Sequence, residues 1–346
     1  MRTGASRRQE GIRMSDRLPI GVMLPVFNGR AYVARHLAAM REWAGLVEEI
    51  VVVDSYSDDG TLELLKEELR SPLARFVSHP RGLYQSWNFG IRQITAKYTY
   101  VSTLGDVITR AGLEHLFSVA EQFQSDVVVS RPRFATPEGQ PVPRWRWPID
   151  DLIQWQSIER PAAVAPVHVF LLAALDAPKG ILGSSASNLY RTGRLHRHPF
   201  PTEYGHVGDT AWAIRHAFET AWAVTPAVVS EFLIHQNAGM IGDEESAELV
   251  ARLLALARQT CLAVSLPAGE APASVELASL LELLAVEIKR LRPRQLAYDT
   301  ARDKPWPWIM NHGAWRARHG RNRQRERIDA LKTAVRIQCG LQPASR

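Results

Sequence analysis

The stretch EEIVVVDSYSDDGT, residues 48–61, decides the fold class. Its first half is a short apolar run rich in β-branched residues, which predicts a buried strand that ends at Asp54. Its second half has the Asp and Gly residues of a turn, and we expect a helix to begin near Thr61. The run LPIGVMLPVF, residues 18–27, has the same form and ends at the turn Asn28-Gly29. Two such units close together in the sequence indicate an α/β fold.

The alternation of strands and helices continues along the chain. Further strands are predicted over residues 74–78, 98–104, 126–130, 186–190 and 227–235, and helices over residues 61–69, 84–94, 112–123 and 209–218. This spacing predicts a Rossmann-related, mostly parallel central sheet flanked by helices. Ligands of such sheets bind at the carboxyl ends of the strands. The predicted ends are Asn28, Asp54, His79 and Asp106.

The length and composition of the chain suggest one main domain and a smaller appended unit. Of the 346 residues, 46% are hydrophobic, which is enough for a sizeable core. We place the main domain at residues 18–242. Within it, the Trp- and Pro-rich segment 131–182 breaks the pattern and is interpreted as an insert, a long loop or lid. Beyond residue 242 the apolar spacing is helical, so residues 243–346 are predicted to form a helical C-terminal extension with a basic tail.

The positive charge of the chain lies in its two ends. Residues 1–17 carry five arginines against two acidic residues and are predicted to be a disordered basic N-terminus. From Trp315 to the end there are nine Lys or Arg against two acidic residues. Ile328, Leu331 and Val335 form an apolar stripe beside these charges. The tail is interpreted as a helix lying on anionic lipid or packed on the domain, with a merely solvated tail as the alternative.

No apolar run of the sequence approaches the roughly 20 residues that a membrane-spanning helix needs. We therefore expect a cytoplasmic protein, in peripheral contact with the inner face of the membrane through its basic helix, and no nucleic-acid partner. The two cysteines, Cys261 and Cys339, have no metal-ligand spacing. The histidines His196, His198 and His206 have no carboxylate or Cys partners at zinc-site spacing, and a basic loop is the favoured interpretation.

Five segments, in order along the chain, carry motifs of one enzyme family. They are MLPVFN (23–28), VVVDSYSDDGT (51–61), RGLYQSWNFGI (81–91), YVSTLGDVITRAGLEHL (100–116) and VGDTAWAIRHA (207–217). Together they resemble the family 2 inverting glycosyltransferases, which have the GT-A fold and use nucleotide-diphosphate sugars as donors. The resemblance covers residues 18–130 well and residues 183–240 loosely, and it extends neither to the tail nor to the Trp-rich insert.

The resemblance implies a donor site at the carboxyl ends of the first strands. Asp54 and Asn28 would hydrogen-bond the base or ribose, and Phe27 and Pro25 would give apolar surface against the base. The remaining donor-binding candidates are Ser57, Asn88 and Asp106. Trp87 stands where many relatives carry an Arg before that Asn, and Arg81 is considered as its substitute for a phosphate contact. Asp59 is interpreted as a helix-capping residue.

The resemblance also implies a divalent metal, Mg or Mn, to neutralise the leaving diphosphate. Asp106 falls at the position of the family's metal-binding Asp, although the preceding residue, often acidic, is Gly105. His235 falls where many relatives supply a second ligand. The alternatives are a turn or helix-capping Asp and a plain strand-end histidine.

Asp209 matches the family's catalytic Asp and is predicted to be the general base, with Glu203 in reserve. Its usual acidic neighbour is Gly208 here, and the alternative is an Asp that caps the following helix. The sequence thus predicts transfer of a sugar, with inversion, to a hydroxyl of a cell-surface glycan or lipid-linked saccharide. Two alternatives remain: a relative that binds nucleotide sugars without turnover, and a nucleic-acid-binding or scaffold protein acting through the basic tail.

Overall fold

A single mixed sheet organises the chain. The computed structural model describes residues 17–142, 147–234, 243–264, 274–302 and 312–341. Within these residues the sheet has nine strands. They are β1 (Leu18–Val26), β2 (Val47–Asp54), β3 (Ala74–Ser78), β4 (Tyr98–Val101), β5 (Val107–Ile108), β6 (Val127–Ala135), β7 (Ala162–Val164), β8 (Asn188–Arg191) and β9 (Trp222–Leu233).

The strand order is β3-β2-β1-β4-β8-β6-β9-β5, and β7 pairs with β9. The first four of these strands are parallel to one another. β8 runs antiparallel to both β4 and β6, and β6 is again parallel to β9. Most strands therefore share one direction, which confirms the predicted α/β fold with a mostly parallel sheet and brings the carboxyl ends of β1, β2 and β4 to one edge.

Pro25 lies near the end of β1 at a place where a central strand tolerates proline. β1 pairs with β4 only as far as Met23, opposite Val101, whereas its pairing with β2 continues to Val26. Proline lacks an amide hydrogen and is disfavoured inside a sheet. Because β4 has ended before Pro25, β1 loses no ladder hydrogen bond to β4 there, and the sheet opens into a crevice on that side.

Helices cover both faces of the sheet. In the first half of the chain they are α1 (Arg30–Trp43), α2 (Thr61–Glu68), α3 (Leu83–Ile91) and α4 (Arg110–Phe123). α1 buries Val33, Leu37 and Met40 at helical spacing, and its last residue, Trp43, donates from Nε1 to the carbonyl of Ile108 at 3.1 Å. This contact fixes α1 against the strand that follows Asp106.

The prediction of an irregular loop or lid over residues 131–182 is wrong for most of the segment. β6 continues to Ala135, and the described residues beyond it form α5 (Pro148–Trp155), β7 and α6 (Pro166–Leu175). Eight of the ten residues of α6 are buried. The reason is physical: a helix that is apolar all round is stabilised by complete burial and shows no amphipathic period in its sequence. The segment is part of the core.

The later helices are α7 (Thr192–Arg197), α8 (Gly208–His216), α9 (Asp243–Ala263), α10 (Ser274–Arg302) and α11 (His312–Gln338). The last three lie in the predicted helical extension. The described residues include no helix that is both long enough and apolar enough to cross a membrane. Residues 1–16, which hold most of the predicted N-terminal segment, lie outside the described part of the chain.

The apolar stripe of α11 packs on the protein. Ile328 and Val335 are buried within the same hydrophobic core as α6, and Leu331 packs against it. Arg336 pairs with Asp176 at the end of α6, and its guanidinium lies 4.7 Å from the centroid of the Trp155 ring. Of the alternatives for the tail, packing on the domain therefore holds for this stripe, and the arginine-rich remainder of α11 faces outward.

Candidate functional site

Two loops at the carboxyl edge of the sheet are joined by side chains from the motif VVVDSYSDDGT. The amide of Asn28 donates to Asp58 Oδ1 at 2.8 Å, and the Asp58 backbone N–H returns a bond of 3.0 Å to Asn28 Oδ1. Asp59 accepts from the backbone N–H groups of Arg30 and Thr61, each at 3.0 Å. These are the first residues of α1 and α2, so Asp59 satisfies free N–H groups of both helices, as expected for a capping residue.

The side chain of Asp54 stabilises the loop that follows β2 through a hydrogen bond to the loop backbone. Asp54 is buried, and its carboxylate accepts from the backbone N–H of Ser57 at 3.2 and 3.3 Å. The Ser57 hydroxyl accepts from the backbone N–H of Asn28 at 3.1 Å. A carboxylate offers about four lone-pair directions, so one bound N–H leaves Asp54 able to accept from a ligand hydroxyl or ring N–H.

Tyr56 is a feature of this loop that the sequence interpretation missed. It occupies the position of the glycine in the family loop, it has a φ of 60°, and it is 63% exposed. A bulky residue at positive φ is strained, and such strain concentrates at functional sites. An aromatic residue at a glycine position of a recognisable motif is the signal that identifies it.

Phe27 and Arg81 form one wall of the crevice. Phe27 is 39% exposed, and the Arg81 guanidinium lies 4.3 Å from the centroid of its ring. The contact is a cation–π interaction. It holds a positive charge beside the end of β1, next to the half-buried Pro25. The predicted apolar surface and the predicted cation therefore lie together.

Asp106 is buried directly before β5, and not at the end of β4, because β4 ends at Val101, three residues before the predicted end of that strand. The Asp106 Oδ1 accepts from the backbone N–H of Leu233 at 2.9 Å, which joins the residue to the end of β9. Burial raises the pKa of Asp106 to about 7, opposed by the Leu233 hydrogen bond and by the charge of Arg35. Few groups offset the cost of burying this negative charge, so a bound cation would stabilise the ionised form of Asp106. His235, the proposed second ligand, lies outside the described residues.

Two further residues near Asp106 were not recognised from the sequence. Glu231 is a buried carboxylate on β9, but it pairs with Arg35 and Arg133 and so has its charge balanced. His36 is a buried polar residue on the apolar face of α1. A histidine at an apolar position of the helical pattern is the sequence signal that could identify it. The His36 Nδ1 lies 2.9 Å from the Asp106 carbonyl oxygen and its Nε2 3.1 Å from Ser102 Oγ. Burial lowers the pKa of His36 to about 4, so the ring is neutral and fixes the backbone at Asp106.

α3 joins the loop of Asp54 to the candidate base. Near its start, Ser86 Oγ lies 3.0 Å from Ser55 Oγ, directly after Asp54. Two residues earlier, the Tyr84 hydroxyl donates to the carbonyl oxygen of His206 at 3.2 Å, and the Tyr84 ring packs against Gly208, the residue before Asp209. Burial and the nearby charge of Asp209 raise the pKa of Tyr84. The two parts of the predicted site thus contact the same helix.

Asp209 is half-buried in the first turn of α8. Its Oδ1 accepts from the Thr210 backbone N–H at 2.7 Å. Burial raises the pKa of Asp209, while hydrogen bonds from Thr210 and Tyr84 and the nearby His206 oppose the rise. A raised pKa makes a carboxylate a stronger base. The alternative of an N-cap Asp does not hold as stated, because α8 begins at Gly208 and Val207 is its N-cap residue.

The structure explains both glycines that stand where acids are common. Gly105 has a φ of 100°, a conformation that L side chains rarely adopt. A Cβ on Gly208 would lie 2.4 Å from the Pro201 carbonyl oxygen and 2.5 Å from the Tyr84 ring. An acidic side chain therefore has no room at position 208, because the Tyr84 ring and the Pro201 carbonyl occupy the space that it would need.

Asn88 and Trp87 are placed away from the crevice by their contacts. The Asn88 amide donates to the Phe200 carbonyl oxygen at 2.8 Å, and its Oδ1 accepts from the Phe200 backbone N–H at 2.9 Å. Trp87 is buried, with its ring centroid 5.7 Å from that of Phe200. Both residues therefore tie α3 to the segment that precedes α8, and a donor contact by Asn88 stays a prediction.

A polar pocket of about 230 Å³ lies between the segment before α8 and α9, lined by residues that include Tyr204, His206 and Arg252. The Arg252 guanidinium lies 5.0 Å from the centroid of the Tyr204 ring. Glu203, the reserve base, also lines it, but it forms a salt bridge of 3.1 Å with Arg215. The pKa of Glu203 is lowered, first by a hydrogen bond with its own backbone. Asp209 is therefore the stronger base of the two.

Comparisons with known proteins bear on the family and the fold. The sequence model of glycosyl transferase family 2 matches residues 21–173. The chain is similar in structure to S. aureus TarS 1–349 in complex with UDP-GlcNAc, with a TM-score of 0.58 and 15% identity over 93% of this chain and 88% of that chain. It is also similar to the mannosyltransferase PcManGT from Pyrobaculum calidifontis in complex with GDP-Man and Mn²⁺, with a TM-score of 0.51 and 17% identity over 93% and 87% of the two chains. No curated protein matches the chain by sequence.

Identities this low establish the fold and leave the substrates open. The matched residues 21–173 contain the loops of Asn28 and Asp54, all of α3 and Asp106. Residues 21–173 therefore match the model of glycosyl transferase family 2, and the chain as a whole has a fold of the GT-A type.

Proposed function

We propose that the chain transfers a sugar from a nucleotide-diphosphate donor to an acceptor hydroxyl with inversion of the anomeric carbon, using Asp209 as general base. The observation that carries the proposal is the contact of α3 with both halves of the site. Through Ser86 it touches the loop of Asp54, and through Tyr84 it touches His206 and Gly208, directly before Asp209. The structural neighbours that were crystallised with UDP-GlcNAc and with GDP-Man support this type of donor.

The donor nucleotide would lie across the ends of β1 and β2. Asp54 is buried and keeps lone pairs free for a ribose hydroxyl or a base N–H. Phe27 and Tyr56 are exposed aromatic rings on the two adjoining loops, and they offer surface for the base. Arg81, held over Phe27, supplies a cation for the diphosphate. Asn28 and Ser57 act mainly by holding the two loops together.

Asp106 is the proposed ligand of a divalent cation, with His235 as its partner. Oxygen and imidazole ligands suit Mn, and oxygen ligands suit Mg. The buried carboxyl with its raised pKa fits such a role, because a cation would relieve the cost of its negative charge. When bound, the cation would offset the charge that the diphosphate gains as it leaves. His36 and the Leu233 backbone hold Asp106 in place.

In the transfer step the acceptor oxygen attacks the anomeric carbon from the face opposite the diphosphate. The new C–O bond forms as the bond to the diphosphate breaks, and the hydroxyl proton passes to the Asp209 carboxylate. The Thr210 backbone N–H holds that carboxylate by its hydrogen bond to Oδ1, which orients it.

The acceptor is proposed to be a cell-surface glycan or a lipid-linked saccharide. The outward-facing arginines of α11 support a location at an anionic surface, since Arg316, Arg318 and Arg323 are exposed. The apolar stripe of the same helix is used for packing, so this contact would be electrostatic and sensitive to salt.

A thermal-shift screen of nucleoside diphosphates, with and without Mn, tests the donor part of the proposal. A ligand that binds only the folded state raises the melting temperature as its concentration exceeds the dissociation constant. We expect one nucleotide to stand out, more strongly with Mn, and we expect Asp106→Asn to reduce the Mn-dependent part. Stabilisation by a nucleotide, with no release of nucleoside diphosphate from any sugar donor in a panel, would instead favour a binding protein without turnover.

A further inference from the structure

A cluster of possible metal ligands lies at the end of α8 that is remote from Asp209. His198 follows α7, His216 is the last residue of α8, and Glu219 lies in the turn after it. The ligand atoms of the three side chains lie within 4.8 Å of one another. Among the described residues, these three form the group of His, Cys, Asp or Glu side chains that lie close enough together to share one metal ion. Asp209 and His216 are seven positions apart on α8, about 10 Å along a helix that rises about 1.5 Å per residue.

The distances within the cluster are close to those of a metal site. His198 Nε2 lies 3.6 Å and His216 Nδ1 3.8 Å from the same carboxylate oxygen, Glu219 Oε2. Ligands of a tetrahedral zinc ion with bonds of about 2.0–2.1 Å lie about 3.3 Å apart. The two distances are longer than a hydrogen bond. Small shifts of the side chains would bring the three ligand atoms to the spacing that one ion requires.

The His216 ring supplies a second observation. Its Nδ1 is buried and has no hydrogen-bond partner. A buried polar nitrogen without a partner costs free energy and calls for an explanation such as an ion. The ring is held in place by its neighbours, with centroids 4.3 Å from the ring of His198 and 5.5 Å from that of Trp212. The unpaired nitrogen belongs to the atom set that would ligate the metal.

Burial, together with the cations around the cluster, favours the neutral form of both histidines. Burial lowers the pKa of His216 to about 4, and burial and Arg194 lower that of His198. Neutral imidazole is the form that binds metals. Arg194, Arg197 and Arg215 are the cations that act on the pair, and they repel a metal ion as well. The negative charges of Glu219 and Asp126 offset part of this repulsion, and the Asp126 carboxylate lies 3.8 Å from the Arg194 guanidinium.

We propose that His198, His216 and Glu219 form a zinc-binding site. Two imidazole nitrogens and one carboxylate oxygen make a three-ligand set with a fourth position for water. Glu219 is 58% exposed, so the ion can enter from solvent. The site would fasten the end of α7 and the turn after α8 to each other, and so stabilise the helix that carries Asp209. It is separate from the cation proposed at Asp106 and independent of the transfer reaction.

The test uses the full chain, stripped of metal with a chelator and then titrated with Zn²⁺ or Co²⁺. We expect one equivalent of Zn²⁺ to bind, the melting temperature to rise, and Co²⁺ to give the visible absorption bands of tetrahedral coordination. Glu219→Gln and His198→Gln should abolish the Co²⁺ bands and the rise in melting temperature. Glu219 is exposed, so its variant should fold as the wild type does by circular dichroism.

His206→Gln and Asp106→Asn are the matched controls. His206 is an exposed histidine of the same loop region, and Asp106 belongs to the other proposed metal site. Both variants should keep the Co²⁺ bands. A wild-type chain that binds no Zn²⁺ would overturn the proposal. It would equally fail if the bands survived in His198→Gln and Glu219→Gln, or disappeared in Asp106→Asn.

Discussion

Removing the Tyr84 hydroxyl tests how the candidate base is tuned. Tyr84 is buried on α3, and its hydroxyl stabilises the charged form of Asp209. A hydrogen bond to a charged group contributes about 1.5–3 kcal/mol, and about 1.4 kcal/mol corresponds to one pH unit of pKa. With Thr210 still bonded and water as a partial replacement, we take the lower end. In Tyr84→Phe the pKa of Asp209 should therefore rise by about one pH unit.

The assay is the pH dependence of kcat/KM for release of nucleoside diphosphate, at saturating metal. Because a higher pKa keeps the base protonated at higher pH, the acidic limb of the Tyr84→Phe profile should move up by about one pH unit. Tyr190→Phe is the control, since Tyr190 is also buried near Asp209 but its hydroxyl accepts from Asn188 at 3.1 Å. An unchanged limb in Tyr84→Phe, or an equal movement in both variants, would refute the reasoning.

Three further predictions concern the crevice. In the metal-free protein the raised pKa of Asp106, about 7, should make the free energy of unfolding fall as pH rises from 4 to 7, by up to about 4 kcal/mol. Asp106→Asn should remove this slope in urea titrations. Tyr56→Gly should relieve its positive φ and raise stability by about 1 kcal/mol while weakening nucleotide binding in calorimetry, and equal binding would reject a role for the ring. Gly208→Ala should cost about 1–3 kcal/mol in melting experiments through its clash with Tyr84, whereas Gly320→Ala, with open space around it, should not destabilise the chain.

The strands of the donor half could be predicted because their signals are local. Apolar runs that end on Asn28, Asp54 and Asp106 are closed by turn residues within a few positions, so strand ends and polar side chains were found together. β3 lies over the predicted residues, 74–78. β9 begins at Trp222, five residues before its predicted start, because its first part pairs with β6 and β7 without an alternating pattern.

The remaining parts of the site depend on contacts between distant residues. Nothing near Tyr84 in the sequence indicates that its hydroxyl reaches Asp209, and nothing near Glu231 indicates that two arginines neutralise it. The contact between His198 and His216 could likewise not be predicted from residues close in sequence. His198 was grouped with its sequence neighbours, whereas the fold places it against His216. The buried helix α6 was missed for the opposite reason, since uniform burial leaves no periodic signal.

The proposed function depends most on Asp209 as the base of a sugar transfer from a nucleotide-diphosphate donor. The direct measurement is release of nucleoside diphosphate from the preferred donor, with Mn, by the wild type and by Asp209→Asn, together with donor affinity for both. We predict that the wild type turns over and that Asp209→Asn binds the donor with similar affinity but loses turnover by at least about 100-fold. Normal turnover by Asp209→Asn would contradict the assignment.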